Sequence, residues 1–187
     1  MRVLIVEYHP EQARLAPALE AAGCAVAAAL DSARGLDARM QTLRPDAVIV
    51  GHDAPDRDTF AQIGAAHRVF PCPIVMFTGD GSPASIRAAT QAGVTSYVVD
   101  GLDAARLGTI LDVAVSRFET LQALHDELEQ ARRELSERKL IDRAKALLIK
   151  HSGASEPEVY REMRRAAMDR GVKIADIARQ IVEQPRG

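Results

Sequence analysis

The chain of 187 residues has room for one ordinary domain and a smaller module, because domains usually contain roughly 100 to 150 residues. Its 47% hydrophobic and 27% charged residues exclude a disordered chain. The first apolar run ends at Glu7 and is too short for a signal sequence or a membrane span. We therefore expect a cytoplasmic protein. The net charge of −2 combines −7 over residues 1–130 with +5 over residues 131–187, which makes the C-terminal part the better candidate for nucleic-acid contact, with a solvated helical surface as the alternative.

Short apolar runs alternate with amphipathic stretches over residues 2–99, a pattern that is typical of βα units around a parallel sheet. Five strands are predicted, at residues 3–6, 25–30, 47–50, 73–77 and 94–99. Helices are predicted near residues 10–22, 32–43, 56–69 and 83–92. The pattern therefore predicts a five-stranded doubly wound α/β domain.

The predicted ends of the helices are supported by residue types that are common at helix ends. Ser82 and Pro83 are suited to the cap and the first position of a helix, and Gly23 and Gly93 are suited to helix ends. The two cysteines, Cys24 and Cys72, lack metal-site spacing and have apolar neighbours. We expect buried thiols there, with no disulfide, metal or cofactor.

An uninterrupted helical pattern extends from Asp103 to about Leu135. Apolar residues recur in steps of four and three, which is coiled-coil spacing, and the seam shifts by three residues near its middle. The first seam contains Leu107, Leu111, Ala114, Phe118 and Leu121, and the second contains Leu124, Leu128, Ala131 and Leu135. We expect a coiled-coil homodimer, and packing against the chain's own C-terminal helices is the alternative.

The last 50 residues predict a three-helix, all-α module whose first helix reaches His151. Breaks are expected at residues 152–153 and 170–171. Ser155 and Glu158 have the spacing of a capping box at the start of the second helix.

Ligands of an open parallel sheet bind beyond the C-terminal ends of its strands. The segments VLIVEYHP, PDAVIVGHDAPDRD, PIVMFTGDG and SYVVDGL occupy these ends, and they resemble response-regulator receivers, which implies a flavodoxin-like fold. Transfer of a phosphoryl group to Asp requires a carboxylate nucleophile, acidic ligands for a divalent cation, and a balancing positive charge. By this resemblance, the degenerate phosphorylation site contains Glu7, Tyr8, Gly51, Asp53, Thr78 and Asp100.

Three of these positions have lost the family's residues. Gly51 stands at the acceptor position, Tyr8 replaces the second acid, and Asp100 replaces the Lys. Asp53 as a displaced acceptor is the alternative, but a structural role for Asp53 and Asp56 in the turn or at the next helix is favoured. We therefore predict a pseudo-receiver without phosphorylation chemistry.

The segment SERKLIDRAKALLIKHSGASEPEVYREMRRAAMDRGVKIADIARQIV closely resembles the ANTAR output domain of transcription antitermination regulators. With SYVVDGL and APDRD, the whole chain resembles NasT-type nitrate/nitrite-responsive antiterminators. The predicted domains are a receiver-like domain at 1–112, a coiled-coil helix at 113–135 and an ANTAR domain at 136–187.

Basic residues of this module are the candidate RNA contacts. Lys139, Arg143, Ala146 and Lys150 form one helical stripe, opposite a buried side that contains Leu140, Ala144, Leu147 and Leu148. Tyr160, the last aromatic residue, is expected in the core rather than stacked on a base, so recognition would use phosphate contacts and Arg planes. The full candidate set is Arg138, Lys139, Arg143, Lys145, Lys150, Tyr160, Arg161, Arg164, Arg165, Arg170 and Lys173.

The resemblance implies a non-enzymatic antiterminator that holds leader-RNA hairpins against termination. Its control would come from a sensor protein that resembles a periplasmic nitrate/nitrite-binding protein. The alternatives are a phosphorylation-dependent regulator that uses Asp53 and a DNA-binding transcription factor, because KIADIARQIV also resembles the first helix of a helix-turn-helix. Against the latter, no recognition helix follows in the sequence.

Overall fold

The computed structural model describes residues 1–8, 14–100 and 104–183, which form two compact units, Met1–Gln122 and Ala123–Gly187. The predicted boundaries at residues 112 and 135 stay a prediction. None of the helices in the described ranges combines the length and the apolar character that a membrane span requires.

Five parallel strands form the sheet of the first unit, in the order β2-β1-β3-β4-β5. This order is flavodoxin-like and confirms the predicted doubly wound fold. The strands are β1 (Arg2–Glu7), β2 (Ala25–Leu30), β3 (Ala47–Gly51), β4 (Ile74–Thr78) and β5 (Ser96–Val99). The helices between them are α1 (Leu15–Ala21), α2 (Leu36–Leu43), α3 (Arg57–Val69) and α4 (Pro83–Gln91).

Both faces of the sheet are buried, since alternate residues of a strand point to opposite sides. In β1, Leu4 and Val6 pack in one apolar cluster, and Val3 and Ile5 pack in the other. The first cluster also contains residues of α2, α3 and α4, and the second contains residues of α1. Strands covered on both faces need continuous apolar runs, and for this reason the sequence predicted them well.

Some predicted limits differ from the structure. The helix expected over 10–22 begins at Leu15 in α1, and its residues 10–13 lie outside the described residues. The helix expected over 32–43 begins at Leu36, because Gly35 before it is left-handed, with φ of 72°. Cys72 is buried, which raises the pKa of its thiol to about 12, whereas Cys24 is only partly buried, contrary to expectation.

A single helix of 49 residues, α5 (Ala104–Ser152), follows the sheet, and Asp103 lies outside the described residues. Leu107, Leu111 and Ala114 are buried against the second face of the sheet. The first part of the predicted coiled-coil seam therefore belongs to the chain's own core. From Leu121 onward the seam leucines are exposed.

The second unit contains the rest of α5 with α6 (Glu156–Arg170) and α7 (Ile174–Glu183). Ala144, Met163 and Ile177, one from each helix, meet in its apolar cluster. Ile141 and Ile149 join this cluster, whereas the expected Leu147 does not. The predicted capping box is confirmed at the start of α6, where the Glu158 carboxylate accepts hydrogen bonds from the backbone N–H and the hydroxyl of Ser155.

Candidate functional site

At the C-terminal edge of the sheet, the retained acid Glu7 is used to cap a helix. Its Oε1 accepts hydrogen bonds from the backbone N–H of Arg14 at 3.0 Å and of Leu15 at 3.4 Å. These N–H groups start α1 and have no partner within the helix. Among the described residues, no group of three or more Asp, Glu, His or Cys side chains is arranged to hold a metal ion.

The acceptor position is closed by packing. A Cβ atom built on Gly51 would lie 2.8 Å from Leu15 Cδ1 and 3.6 Å from Glu7 Cγ. Leu15 is 2% exposed, so it has little room to move aside. An aspartate at this position would have to displace a core side chain of α1.

Tyr8, which replaces the second acid, links two loops. Its hydroxyl accepts a hydrogen bond from the Ala33 backbone N–H at 3.0 Å. Its ring lies 4.1 Å from the ring of His52, with a tilt of 40°. The side chain thus fills space and satisfies a backbone donor rather than binding a cation.

The hydroxyl of Thr78 is fully used within the fold. It donates to the Asp53 carbonyl and accepts from the Asp80 backbone N–H, both at 3.1 Å. The backbone of Asp100, at φ of 50°, donates to the Thr78 carbonyl at 3.0 Å. These contacts give Thr78 a structural role at the end of β4.

Asp56, in the APDRD turn, and Asp53, directly before that turn, behave differently. Asp56 caps α3 by accepting from the backbone N–H and the hydroxyl of Thr59, and these bonds lower the pKa of its carboxyl. Asp53 contributes its backbone carbonyl to Thr78 and Gly79, and the residue is exposed. The geometry gives Asp53 a structural role through its backbone.

We expect no phosphorylation of this unit. Incubation with acetyl phosphate and Mg²⁺ should leave the intact mass unchanged, both for the native chain and for Gly51→Asp, because Glu7 and the space near Gly51 are already engaged. Intact-mass spectrometry after seconds to minutes checks this. A gain of one phosphoryl group that Asp53→Asn abolishes would revive the displaced-acceptor alternative.

In the second unit, the predicted basic stripe of α5 is exposed. Lys139, Arg143 and Lys150 face solvent, and Ala144, on the opposite side of the helix, is fully buried. Arg138 is also exposed. The alternation of basic and apolar positions at helical spacing therefore separates an outer side from a core side as predicted.

The outer face of α6 carries the densest group of arginines. Arg161, Arg164 and Arg165 are exposed, while Val159 and Met163 are buried on the opposite side. Arg165 makes one long ion pair with Asp169, at 3.9 Å. Such an exposed pair contributes little and is easily exchanged for a phosphate.

Tyr160 is 44% exposed, so the expectation of a core tyrosine is wrong. The apolar cluster of the second unit contains the small Ala144 and Ala167 and the larger Val159 and Met163, and Tyr160 is not part of it. Met168, which sequence reasoning missed, is 72% exposed. It lies four residues after Arg164, so the two residues lie on the same side of α6. This helical spacing is the signal from which the exposure of Met168 could have been predicted.

Lys145 is engaged inside the unit. Its Nζ lies 2.7 Å from Asp142 Oδ1 and 2.8 Å from Glu156 Oε1, and its side chain is only 17% exposed. The Asp142 bond, followed by the Glu156 bond, raises the pKa of Lys145. Because the Glu156 bond connects α5 to the start of α6, a substitution of Lys145 removes a contact between helices as well as a positive charge.

The turn before α7 has a similar structural contact. Arg170 donates to the side-chain oxygen of Gln180 at 2.9 Å, which connects the end of α6 to α7, and Lys173 is exposed beside it. Within the sequence-predicted set, every residue except Lys145 is exposed, and Lys145 and Arg170 also connect helices.

Comparisons with known proteins agree with this architecture. The ANTAR domain family matches residues 129–182. The transcriptional regulatory protein PdtaR of Mycobacterium tuberculosis is 34% identical over 142 residues, which cover 75% of this chain and 68% of PdtaR. The nitrate regulatory protein of Klebsiella oxytoca is 32% identical over 73 residues, covering 39% of this chain and 18% of that protein.

Solved structures resemble the first unit. The signal receiver domain of a modulated diguanylate cyclase from Desulfovibrio desulfuricans has a TM-score of 0.56 at 21% identity, covering 64% of this chain and 96% of that chain. A two-component response regulator from Clostridium difficile has a TM-score of 0.54 at 20% identity, covering 63% and 97%. These likenesses establish the receiver fold. The chain therefore belongs to the family of PdtaR-like transcriptional regulators, with a receiver fold and an ANTAR domain.

Proposed function

We propose that this regulator is an RNA-binding transcription antiterminator, whose ANTAR domain holds a leader-RNA hairpin and so prevents formation of a terminator. The observation that carries the proposal is the outer face of α6, where Arg161, Arg164 and Arg165 are exposed beside Tyr160. Guanidinium groups bind phosphates in a bidentate manner and stack on unpaired bases. A folded hairpin presents both kinds of group.

Further residues of the second unit extend this surface. Arg138, Lys139, Arg143 and Lys150 on α5 and Lys173 before α7 are exposed and supply additional positive charge. Lys145 and Arg170 support the surface by holding α5, α6 and α7 together. Their direct contact with RNA stays a prediction.

Control by a partner protein, rather than by phosphate, is part of the proposal. Glu7 is committed to α1, and the space at Gly51 is taken by Leu15. By its resemblance to NasT-type regulators, and because it is similar to a nitrate regulatory protein, the chain would act on nitrate or nitrite assimilation genes. The partner would be a sensor that resembles a nitrate/nitrite-binding protein.

A homodimer completes the proposal. Leu121, Leu124, Leu128 and Leu135 recur at coiled-coil spacing on α5 and are between 49% and 64% exposed. Large exposed leucines on one helical stripe are unfavourable in water, and a second helix would cover them.

Binding to RNA and DNA of the same sequence tests the function. We expect the full chain to shift a double-hairpin leader RNA at concentrations roughly 100-fold lower than those required for the matching duplex DNA, at physiological salt. Gel shift with both probes in one titration measures this. Equal affinity for both would overturn specific RNA recognition, and preference for duplex DNA would favour the DNA-binding alternative.

A further inference from the structure

A groove with a volume of about 450 Å³ lies at the N-terminal edge of the sheet, opposite the edge that holds Glu7 and Gly51. Its walls are the segments that precede β1, β3 and β4, the residues that follow α3, and one side of α5. The apolar side chains that line it include Met1, Phe70, Val115 and Phe118. This volume is typical of small-molecule sites, whereas a stable protein interface needs roughly 800 Å² on each partner. The groove therefore has the size of a small ligand.

The walls of the groove are held in place by the fold. Pro45, Cys72 and Pro73 are buried. The Phe118 ring contacts the His67 ring edge to face, at 6.1 Å between centroids. Because the proline rings fix the backbone and the phenylalanine is packed from behind, few groups have to be ordered when a ligand binds.

Hydrogen-bonding groups in the groove are mostly acceptors. Three lining residues are prolines, which have no N–H group: Pro45, Pro71 and Pro73. Two other backbone N–H groups are already used, since Asp46 donates to the Arg2 carbonyl at 2.8 Å and Phe70 donates to the Ala66 carbonyl at 3.0 Å. The groove therefore favours a ligand that donates hydrogen bonds.

Two carboxylates make the groove negative. Asp46 and Glu119 line it, and both residues are exposed. One oxygen of Asp46 accepts from the Arg2 backbone N–H, and the Glu119 carboxylate has no partner among the described residues. Against these two charges, the lining offers at most one positive charge, the amino group of Met1. Cations are also attracted to the faces of aromatic rings, and two phenylalanines line the groove.

We propose that this groove binds a small organic cation, an ammonium group carried on a compact apolar body. The body occupies the space beside Phe70, Val115 and Phe118. The ammonium group pairs with the free carboxylate of Glu119, and Asp46 adds negative charge. This site belongs to the first unit and does not rest on the RNA contacts of the proposed function.

Three ligands of similar size test the charge preference on the full chain. 2-Phenylethylammonium should bind with a dissociation constant below about 1 mM, 2-phenylethanol should bind about fivefold more weakly, and phenylacetate should not bind. Glu119→Gln should weaken binding of the ammonium about fivefold, because it removes the unpaired charge. The matched control is Asp58→Asn, which removes an exposed acid at the opposite edge of the sheet and should leave binding unchanged.

Methyl NMR of the methionines measures these affinities and locates the ligand. Met1 lines the groove, whereas Met168 is exposed on the second unit and serves as an internal reference. The ammonium should shift the Met1 signal and leave the Met168 signal in place. The Met1 signal is assigned as the one that no Met→Leu substitution at the other four positions removes.

Several results of these titrations would overturn the proposal. A Met1 signal that stays unchanged up to about 10 mM ammonium excludes the site. Equal binding of 2-phenylethanol, or a Glu119→Gln variant that binds like Asp58→Asn, excludes a cation as the ligand. A blocked Leu-Lys-Leu peptide that acts at concentrations about tenfold lower would assign the groove to a protein segment instead. A Met1 signal that moves when the protein alone is diluted would assign it to a second copy of the chain.

Discussion

Reversing the three arginines on the outer face of α6 is expected to reduce the affinity for hairpin RNA by about 100-fold at physiological salt. The variant is Arg161→Glu/Arg164→Glu/Arg165→Glu. All three side chains are exposed and none belongs to the apolar cluster of the unit, so the fold should be retained. The slope of log affinity against log salt should also decrease by about one for each lost phosphate contact.

A control with the same change of charge separates local contact from net charge. Arg39, Arg57 and Arg87 are exposed on the first unit, and reversing them changes the total charge equally. We expect this control to bind RNA within about threefold of the native chain, because it removes no side chain of the proposed contact surface and salt weakens the effect of total charge alone. Equal losses in the two triple variants, with both folds intact by circular dichroism, would refute the assignment of the site to α6.

The second large effect is on stability. Gly93→Ala should lower the free energy of unfolding of the first unit by about 3 kcal/mol. Gly93 has φ of 89°, and an added Cβ would lie 2.4 Å from Cδ2 and 2.8 Å from Cγ of His67. The His67 ring contacts Phe118 edge to face at 6.1 Å between centroids, which limits its movement away from the new methyl group.

Gly23 provides a matched comparison because it also follows a helix with positive φ, at 80°, but an added Cβ would meet nothing within 4 Å. Gly23→Ala should therefore cost only about 1 kcal/mol, the backbone part of the effect. Urea unfolding of the full chain, with hydrogen exchange read separately for each unit, measures both variants. In a His67→Ala background, the cost of Gly93→Ala should decrease to about 1 kcal/mol, and an unchanged cost would show that His67 is not the obstacle.

Much of the first unit was predictable from sequence because its signals are local. Continuous apolar runs indicate strands that are covered on both faces, and Ser82, Gly23 and Gly93 act on the backbone next to them. The absence of acids at Tyr8 and Gly51, where the resemblance to receivers implies them, was also readable. The helical spacing of basic and apolar positions predicted the exposed sides of α5 and α6.

Contacts between elements were decided only by the tertiary structure. Nothing in the spacing of the sequence indicated that Glu7 would cap α1, that Leu15 would fill the space beside Gly51, or that Lys145 would bind Glu156 eleven residues away. Tyr160 was expected inside because aromatic residues are usually buried, but the cluster of Val159, Met163 and small alanines is complete without it.

The sequence by itself determined the class of each unit and the residue types that can bind phosphate or RNA. The tertiary structure decided which of these side chains are available and which are engaged in the fold. It also divided the apolar stripe of α5 into Leu107 and Leu111 inside the core and Leu121 and Leu128 outside it. The reason is physical: helical periodicity fixes the direction of a side chain around its own axis, but burial depends on whether another element packs there.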